Sequence, residues 1–178
     1  MGNERLLTGI NNREFFIQRL SQEHPGFVDV CRALPPHKLD YRPHPRSRSA
    51  GELVAMLVSM QQCAIELSDK GNSSLNRKTQ WHPEGGLTTL DVMIAALEKH
   101  HVTLLERLYG LDDGTWNHSA WLLQGEQEII LRDTVGGLLW IILFDAVHHR
   151  GQLSAYIRPM GGKVPGIYGP SADSAVRQ

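Results

Sequence analysis

The chain has 178 residues, which is enough for one domain with a well-buried core and short for two. Its 18 lysines and arginines nearly balance 19 aspartates and glutamates, giving a net charge of −1. This balance provides no bulk positive field for a nucleic-acid backbone or an anionic membrane, so we expect neither as a partner. The two cysteines, Cys31 and Cys63, form no CxxC motif and cannot build a disulfide framework.

The compartment is predicted from two further features. The amino-terminal residues include a glutamate and an arginine where a signal peptide requires a long apolar run. The longest apolar stretch, residues 135–144, is about half of what a bilayer demands. We therefore expect one cytoplasmic domain over residues 1–178.

Four apolar stripes at helical spacing predict four helices, of which two lie in the first half of the chain. The first covers about residues 12–34, and we expect Pro25 to kink or split it because proline lacks the backbone N–H. The second begins after Ser49, which forms a capping box with Glu52, and it ends at Gly71.

The second half of the chain predicts the other two helices. The third starts at Leu90, where Thr88 and Asp91 fit another capping box, and it ends at Gly110. A turn-rich connection over residues 111–132 follows, with an irregular or short extended piece at 128–131.

The fourth helix covers about residues 134–158, with Asp133 or Thr134 as its cap, and the tail from Gly161 to Gln178 is predicted to be loop. Strand-like alternation is nearly absent from the chain. The pattern therefore predicts an all-α, four-helix bundle with a loop-rich C-terminal tail.

The fourth predicted helix carries polar residues on the face that its apolar residues commit to the core. Steps of three and four from Leu138 lead to Asp145 and His149, and then to Gln152 and Tyr156. A carboxylate and an imidazole four residues apart lie one above the other and can converge on one metal ion. The alternative is a structural pair in which Asp145 and His149 hydrogen-bond each other, with Gln152 or Tyr156 completing the network.

Three weaker features have their own interpretations. Gly151 costs the helix roughly 1 kcal/mol relative to alanine, which indicates a tight helix crossing or the approach of another backbone or a ligand. Glu98 and His101 form one Glu-x-x-His unit, but a di-iron bundle needs two, so we expect His101 to be a hydrogen-bonded core histidine. The basic run over residues 42–48 predicts a solvated loop that lines a site, not a nucleic-acid patch.

Residues 143–153, which read LFDAVHHRGQL, and residues 156–170, which read YIRPMGGKVPGIYGP, resemble the DinB family. The lead into the second helix, residues 34–53, resembles that family as well. The resemblance implies a four-helix bundle with up-down-down-up topology, usually assembled as a homodimer. Some relatives use zinc to act on low-molecular-weight thiols, as bacillithiol S-transferases and the mycothiol-dependent maleylpyruvate isomerase do. The association with DNA damage from which the family takes its name concerns gene expression, and it implies no DNA binding.

The resemblance also implies a metal site of three side chains, one from the second helix and an i,i+4 pair from the fourth. The pair maps to Asp145 and His149, whereas Met56 occupies the family's histidine position. A thioether is a poor ligand for zinc or nickel, so we expect metal binding to be weakened or lost. His148 and Arg150 are expected to support the site or contact a substrate anion.

Two hypotheses of different classes follow. The leading hypothesis is a metal-dependent protein with zinc or nickel that acts on a small molecule, as a thiol transferase or a hydrolase. The alternative is a non-catalytic, metal-free dimeric bundle of the same fold, in which Met56 fills the vacated ligand position. The sequence assigns no residue a catalytic role.

Overall fold

The computed structural model describes residues 10–74, 89–125 and 128–174, and helices dominate these ranges. The helices are α1 (Asn12–Arg32), α2 (Ala50–Lys70), α3 (Leu90–Gly110), the single-turn α4 (Asp113–Trp116) and α5 (Val135–Ile157). Both α1 and α2 pack against α3 and against α5, so the four long helices share one core. No helix in the described ranges combines the length and the hydropathy needed to cross a bilayer. The four predicted long helices are confirmed, and the fold is mainly helical.

The ends of the helices follow local capping chemistry. The Ser49 hydroxyl accepts a hydrogen bond from the Glu52 amide at 3.2 Å, and the Glu52 carboxylate accepts one from the Ser49 amide at 2.5 Å. This is the predicted capping box of α2, and Gly71 ends that helix with a φ of +69°. Thr134 caps α5, as predicted, by accepting from the Gly137 amide at 3.0 Å.

Two predictions about helix continuity and capping turn out differently. Helix α1 continues through Pro25, so of the two predicted effects of this proline, a kink or a split, the split is wrong. Residues on both sides of the proline, including Phe16 and Phe27, are buried in the core, and this packing offsets the missing N–H. Helix α3 is capped by Thr89, and the predicted cap residue Thr88 lies outside the described residues.

A three-stranded sheet beside the bundle corrects the all-α prediction. Strand β1 (Asn72–Ser74) pairs in parallel with β2 (Ser119–Gln124), and β2 pairs antiparallel with β3 (Glu128–Thr134). The expected extended piece at 128–131 is confirmed as part of β3. Strand β3 leads directly into α5, where Gly136 lies so close to the Trp116 indole that an added Cβ would clash with it.

Arg150 lies on the side of α5 that faces α1 and the tail, and its side chain is 2% exposed. Its guanidinium donates to the Glu23 carboxylate at 2.6 Å and to the Tyr168 hydroxyl at 2.5 Å. The rings of Phe27 and Tyr168 lie 4.7 and 5.2 Å away, and Gly26 leaves the space that the guanidinium fills. Arg150 therefore joins the C-terminal tail to α1, and it is not the substrate contact that the sequence suggests.

His101 and His24 stack between α3 and α1, with ring centroids 3.7 Å apart and planes within 3° of parallel. The predicted burial of His101 is confirmed, but Nδ1 of each ring is buried without a hydrogen-bond partner in the described structure. Burial, together with repulsion from His24, lowers the pKa of His101 to about 4. Burial also lowers the pKa of His24.

Acid is expected to destabilise the fold through this pair. The pKa of His101 is about 4 in the folded protein and 6.5 in the unfolded chain. The folded protein therefore binds fewer protons between these values, and the free energy of unfolding falls as the pH drops from 6.5 toward 4. We expect a loss of about 3 kcal/mol at most, measured by urea unfolding. His101→Leu should flatten this pH dependence, whereas His37→Leu, at an exposed histidine, should not. Equal pH profiles for the parent and His101→Leu would contradict the low pKa of His101 as the cause.

Glu23→Ala is expected to destabilise the protein strongly, because it leaves the buried guanidinium of Arg150 without its carboxylate. Breaking a buried ion pair in this way costs about 3 kcal/mol or more, and chemical denaturation measures it. Gln22→Ala, at an exposed neighbouring position, serves as the control and should change stability by less than about 0.5 kcal/mol. A Glu23→Ala protein as stable as the control would show that the cluster does not hold the tail.

Candidate functional site

A cleft of about 890 Å³ lies between α2, α3, α5 and the sheet. A cleft of this volume suits a small organic ligand. Its apolar wall includes two residues of β3, Ile130 and Leu131, together with Leu122 of β2 and Ile141 of α5. Its polar lining consists of Arg48, Ser59, Gln62, Cys63, Glu66, Ser73, Ser74, His100, Asp145 and His149.

The residues predicted for the metal site meet in this cleft. Asp145, His149 and Met56 all line it, and His149 Nε2 lies 3.5 Å from Asp145 Oδ1. The His149 side chain is 13% exposed, but that of Asp145 is 55% exposed. The predicted burial of Asp145 is therefore wrong. Helical periodicity assigns this residue to the core face, but the cleft opens beside it and its carboxylate meets solvent.

Gln152 determines which nitrogen of His149 carries the proton. The Gln152 side-chain amide donates to His148 Nε2 at 3.1 Å, so its carbonyl oxygen faces His149 Nδ1 at 2.9 Å. With the amide in this orientation, Nδ1 of His149 is the donor, and in the neutral imidazole Nε2 carries the lone pair. Gln152 thus completes the network as predicted, whereas the Tyr156 hydroxyl donates to the Arg48 carbonyl at 3.2 Å instead.

The lone pair of His149 Nε2 and the carboxylate of Asp145 then face each other as two acceptors. Such an arrangement is favourable when a proton or a cation lies between them. Two ligands of one tetrahedral zinc ion are about 3.4 Å apart, close to the 3.5 Å observed. The pair therefore has the spacing of two metal ligands, and it equally accommodates an ion pair between the carboxylate and a protonated imidazole.

A third protein ligand is the missing part of this arrangement. Within the described ranges, no group of three or more His, Cys, Asp and Glu side chains is arranged to hold an ion. Met56 lines the cleft with a thioether in place of a stronger ligand, and His100 Nδ1 contacts the Val58 carbonyl at 3.3 Å. Catalytic zinc sites usually have three protein ligands, so this donor set is weaker than that of a typical zinc enzyme.

The di-iron alternative has no support in the geometry. The Glu98 carboxylate pairs with Arg32 at 2.8 Å on the surface, whereas His101 stacks on His24 inside the bundle. His101 is also not among the residues that line the cleft, so it does not replace Met56 as a ligand.

A second polar group lies along α2 in the same cleft. The Ser73 hydroxyl donates to the Glu66 carboxylate at 2.8 Å, and the Gln62 amide donates to it at 3.2 Å. Cys63 is buried beside Ser73, and burial raises the pKa of its thiol to about 11. The sequence pattern misses this group because Ser73 enters the cleft from β1, a three-residue strand with no periodic signal.

A family model and two solved structures relate this chain to known proteins. The family model of the DinB family matches residues 11–176. A DinB-like protein from Bacillus subtilis is 19% identical with a TM-score of 0.64, and the match covers 88% of this chain and 99% of that one. A DinB-like protein from Bacillus cereus is 20% identical with a TM-score of 0.67, and the match covers 87% and 97% of the two chains. No curated protein matches significantly. The chain belongs to the DinB family.

Proposed function

We propose that this chain binds a small organic molecule in the cleft and holds a zinc or nickel ion beside it through Asp145 and His149. The opposed pair, 3.5 Å apart and facing an open cleft, is the observation that supports this function best. A bound divalent ion lowers the pKa of a thiol or a water, which is the chemistry of thiol transfer and of hydrolysis. A low-molecular-weight thiol is therefore one of the ligand classes that we propose.

The protein's own contribution is to position the ligand and the donors. Gln152 fixes the tautomer of His149, and the carboxylate of Asp145 supplies an oxygen ligand of opposite charge to the ion. The apolar wall formed by Leu122, Ile130 and Leu131 excludes water from the body of a bound molecule. Asp145 and His149 would hold the ion with two protein ligands, which would leave room for a substrate or for water to bind it.

A metal-free bundle is the second candidate, and Met56 favours it. Its thioether occupies the position at which the family resemblance places a histidine, and Asp145 is hydrated and needs no cation for compensation. In this case Asp145 and His149 form an ion pair or a hydrogen bond, and the cleft binds ligands without a metal. Both candidates share the up-down-down-up helix order that the family resemblance implies.

Restoring the third ligand is expected to strengthen metal binding. Met56→His should raise the affinity for zinc at least about tenfold, because it completes a three-ligand site with Asp145 and His149. Elemental analysis of the purified parent and variant, with zinc-dependent thermal shifts, measures this effect.

Two further variants identify the ligands. In the Met56→His background, His149→Gln should abolish the zinc response, whereas His118→Gln, at an exposed histidine that does not line the cleft, should leave it intact. A parent that carries no metal beside a loaded Met56→His variant would favour the metal-free candidate. If neither protein responds to zinc or nickel, the assignment of Asp145 and His149 as ligands is wrong.

We also propose that the protein is a homodimer whose interface is the outer face of α1 and α5. Phe144 is 64% exposed there, and the rings of Phe15, Trp140 and Phe144 follow one another at 5.9 and 5.4 Å. Gly151 continues this face, and an added Cβ at that position would meet no atom within 4 Å. Of the alternatives for Gly151, a tight crossing is therefore not made within the described parts of the chain, and a second copy would account for both the glycine and the exposed rings.

Phe144→Glu is expected to dissociate this dimer, since a charge at the centre of an apolar interface is left desolvated. Sedimentation equilibrium should show a dissociation constant raised at least about tenfold. Tyr109→Glu, at an exposed aromatic residue on α3, is the matched control and should leave the association unchanged. A monomeric parent at the concentrations used, or equal effects of both variants, would rule out this interface.

A further inference from the structure

Arg48 lines the cleft, and a hydrogen bond joins its backbone to α5, the helix that carries the candidate metal pair. It directly precedes Ser49, the cap of α2, and lines the cleft with Met56 and His149. Its backbone carbonyl accepts the hydrogen bond from Tyr156, which follows His149 by about two turns on α5. The Tyr41 ring packs edge-on against Tyr156 at 5.8 Å and supports this contact. The backbone of Arg48 is thus fixed in relation to His149.

The nearby carboxylates do not pair with the guanidinium of Arg48, which leaves it available to bind a ligand. The nearest carboxylate on α2, that of Glu52, accepts from the Ser49 amide and lies 3.5 Å from Arg42. None of the ion pairs in the described parts of the chain includes Arg48. The capping box and Arg42 therefore engage Glu52, while Arg48 remains an exposed cation in the lining of a cleft with apolar walls.

The acidic residues of the cleft, Asp145 and Glu66, lie away from the hydrogen bond between Arg48 and Tyr156. Asp145 precedes Tyr156 by about three turns of α5. Glu66 lies near the opposite end of α2 from Arg48 and already accepts hydrogen bonds from Ser73 and Gln62. A ligand whose anionic group meets Arg48 can therefore extend past His149 without placing that anion against either carboxylate.

We propose that Arg48 binds the anionic group of the ligand, so that the cleft selects small organic acids with an apolar body. A guanidinium presents two parallel N–H donors, which match the oxygens of a carboxylate or of a phosphate monoester. The apolar part of such an acid lies along Leu122, Ile130 and Leu131. This inference rests on the proposed function of the cleft as a small-molecule site, but it does not depend on the metal.

Calorimetric titration of three probes, in the presence of EDTA, tests this inference. The probes are 4-phenylbutyrate, its neutral amide, and phenyl phosphate. We expect at least one of the two acids to bind the parent about tenfold or more tightly than the amide. Arg48→Gln should abolish this preference. Arg46→Gln should retain it, because Arg46 is exposed in the same loop but does not line the cleft. The ratio between the two acids identifies the anion that the site prefers.

The possible failures are distinguishable. If the amide binds as tightly as both acids, the cleft is a small-molecule site and the role of Arg48 is wrong. Equal losses of acid binding in Arg46→Gln and Arg48→Gln would show that the general positive charge of the loop attracts the acids. This result would also overturn the role of Arg48. If no probe binds the parent at millimolar concentration, both the inference and the proposed cleft function fail. Acid selectivity without any response to zinc would support Arg48 and leave the metal assignment rejected.

Discussion

The structure depends on the burial of α5. This helix packs against α1, α2, α4 and two strands, and its residues Leu138, Leu139 and Ile157 are almost inaccessible to solvent. It begins where β3 ends, so the direction of the strand and the placement of the helix are determined together. Because α2 and the sheet both contact α5, the cleft between them has its shape fixed by the same apolar contacts that stabilise the core.

One short sequence segment on α5 serves both the core and the cleft. Successive helical residues point about 100° apart, so His149 faces the cleft whereas Arg150 faces α1 and the tail. Gln152, less than one turn later, bonds to His149, which lines the cleft. The run of residues 148–152 therefore couples the geometry of the candidate site to the anchoring of the C-terminal tail.

Features set by nearby residues could be predicted from the sequence, and features set by distant contacts could not. The caps at Ser49 and Thr134 were predictable because the side chain and the amide that it binds are three residues apart. The parallel pairing of β1 with β2 joins residues about fifty positions apart, and its three-residue strand carries no periodic pattern. Helical periodicity gives the direction in which Asp145 points from α5, but it contains no information on where the neighbouring elements leave a cleft. The burial predicted for Asp145 was wrong for this reason.

The burial of the two cysteines determines whether a reactive thiol can belong to the protein or must belong to a ligand. Cys31 is fully buried and Cys63 is buried at the cleft wall, and burial raises the pKa of these thiols to about 12 and about 11. At neutral pH both remain protonated, and a protonated thiol is a weak nucleophile and is slow to be oxidised. The folded protein thus has an interior that is inert toward disulfide exchange. Under the proposed function, a thiolate that reacts in the cleft must therefore arrive as part of the bound molecule, and the protein's own thiols would stay unmodified.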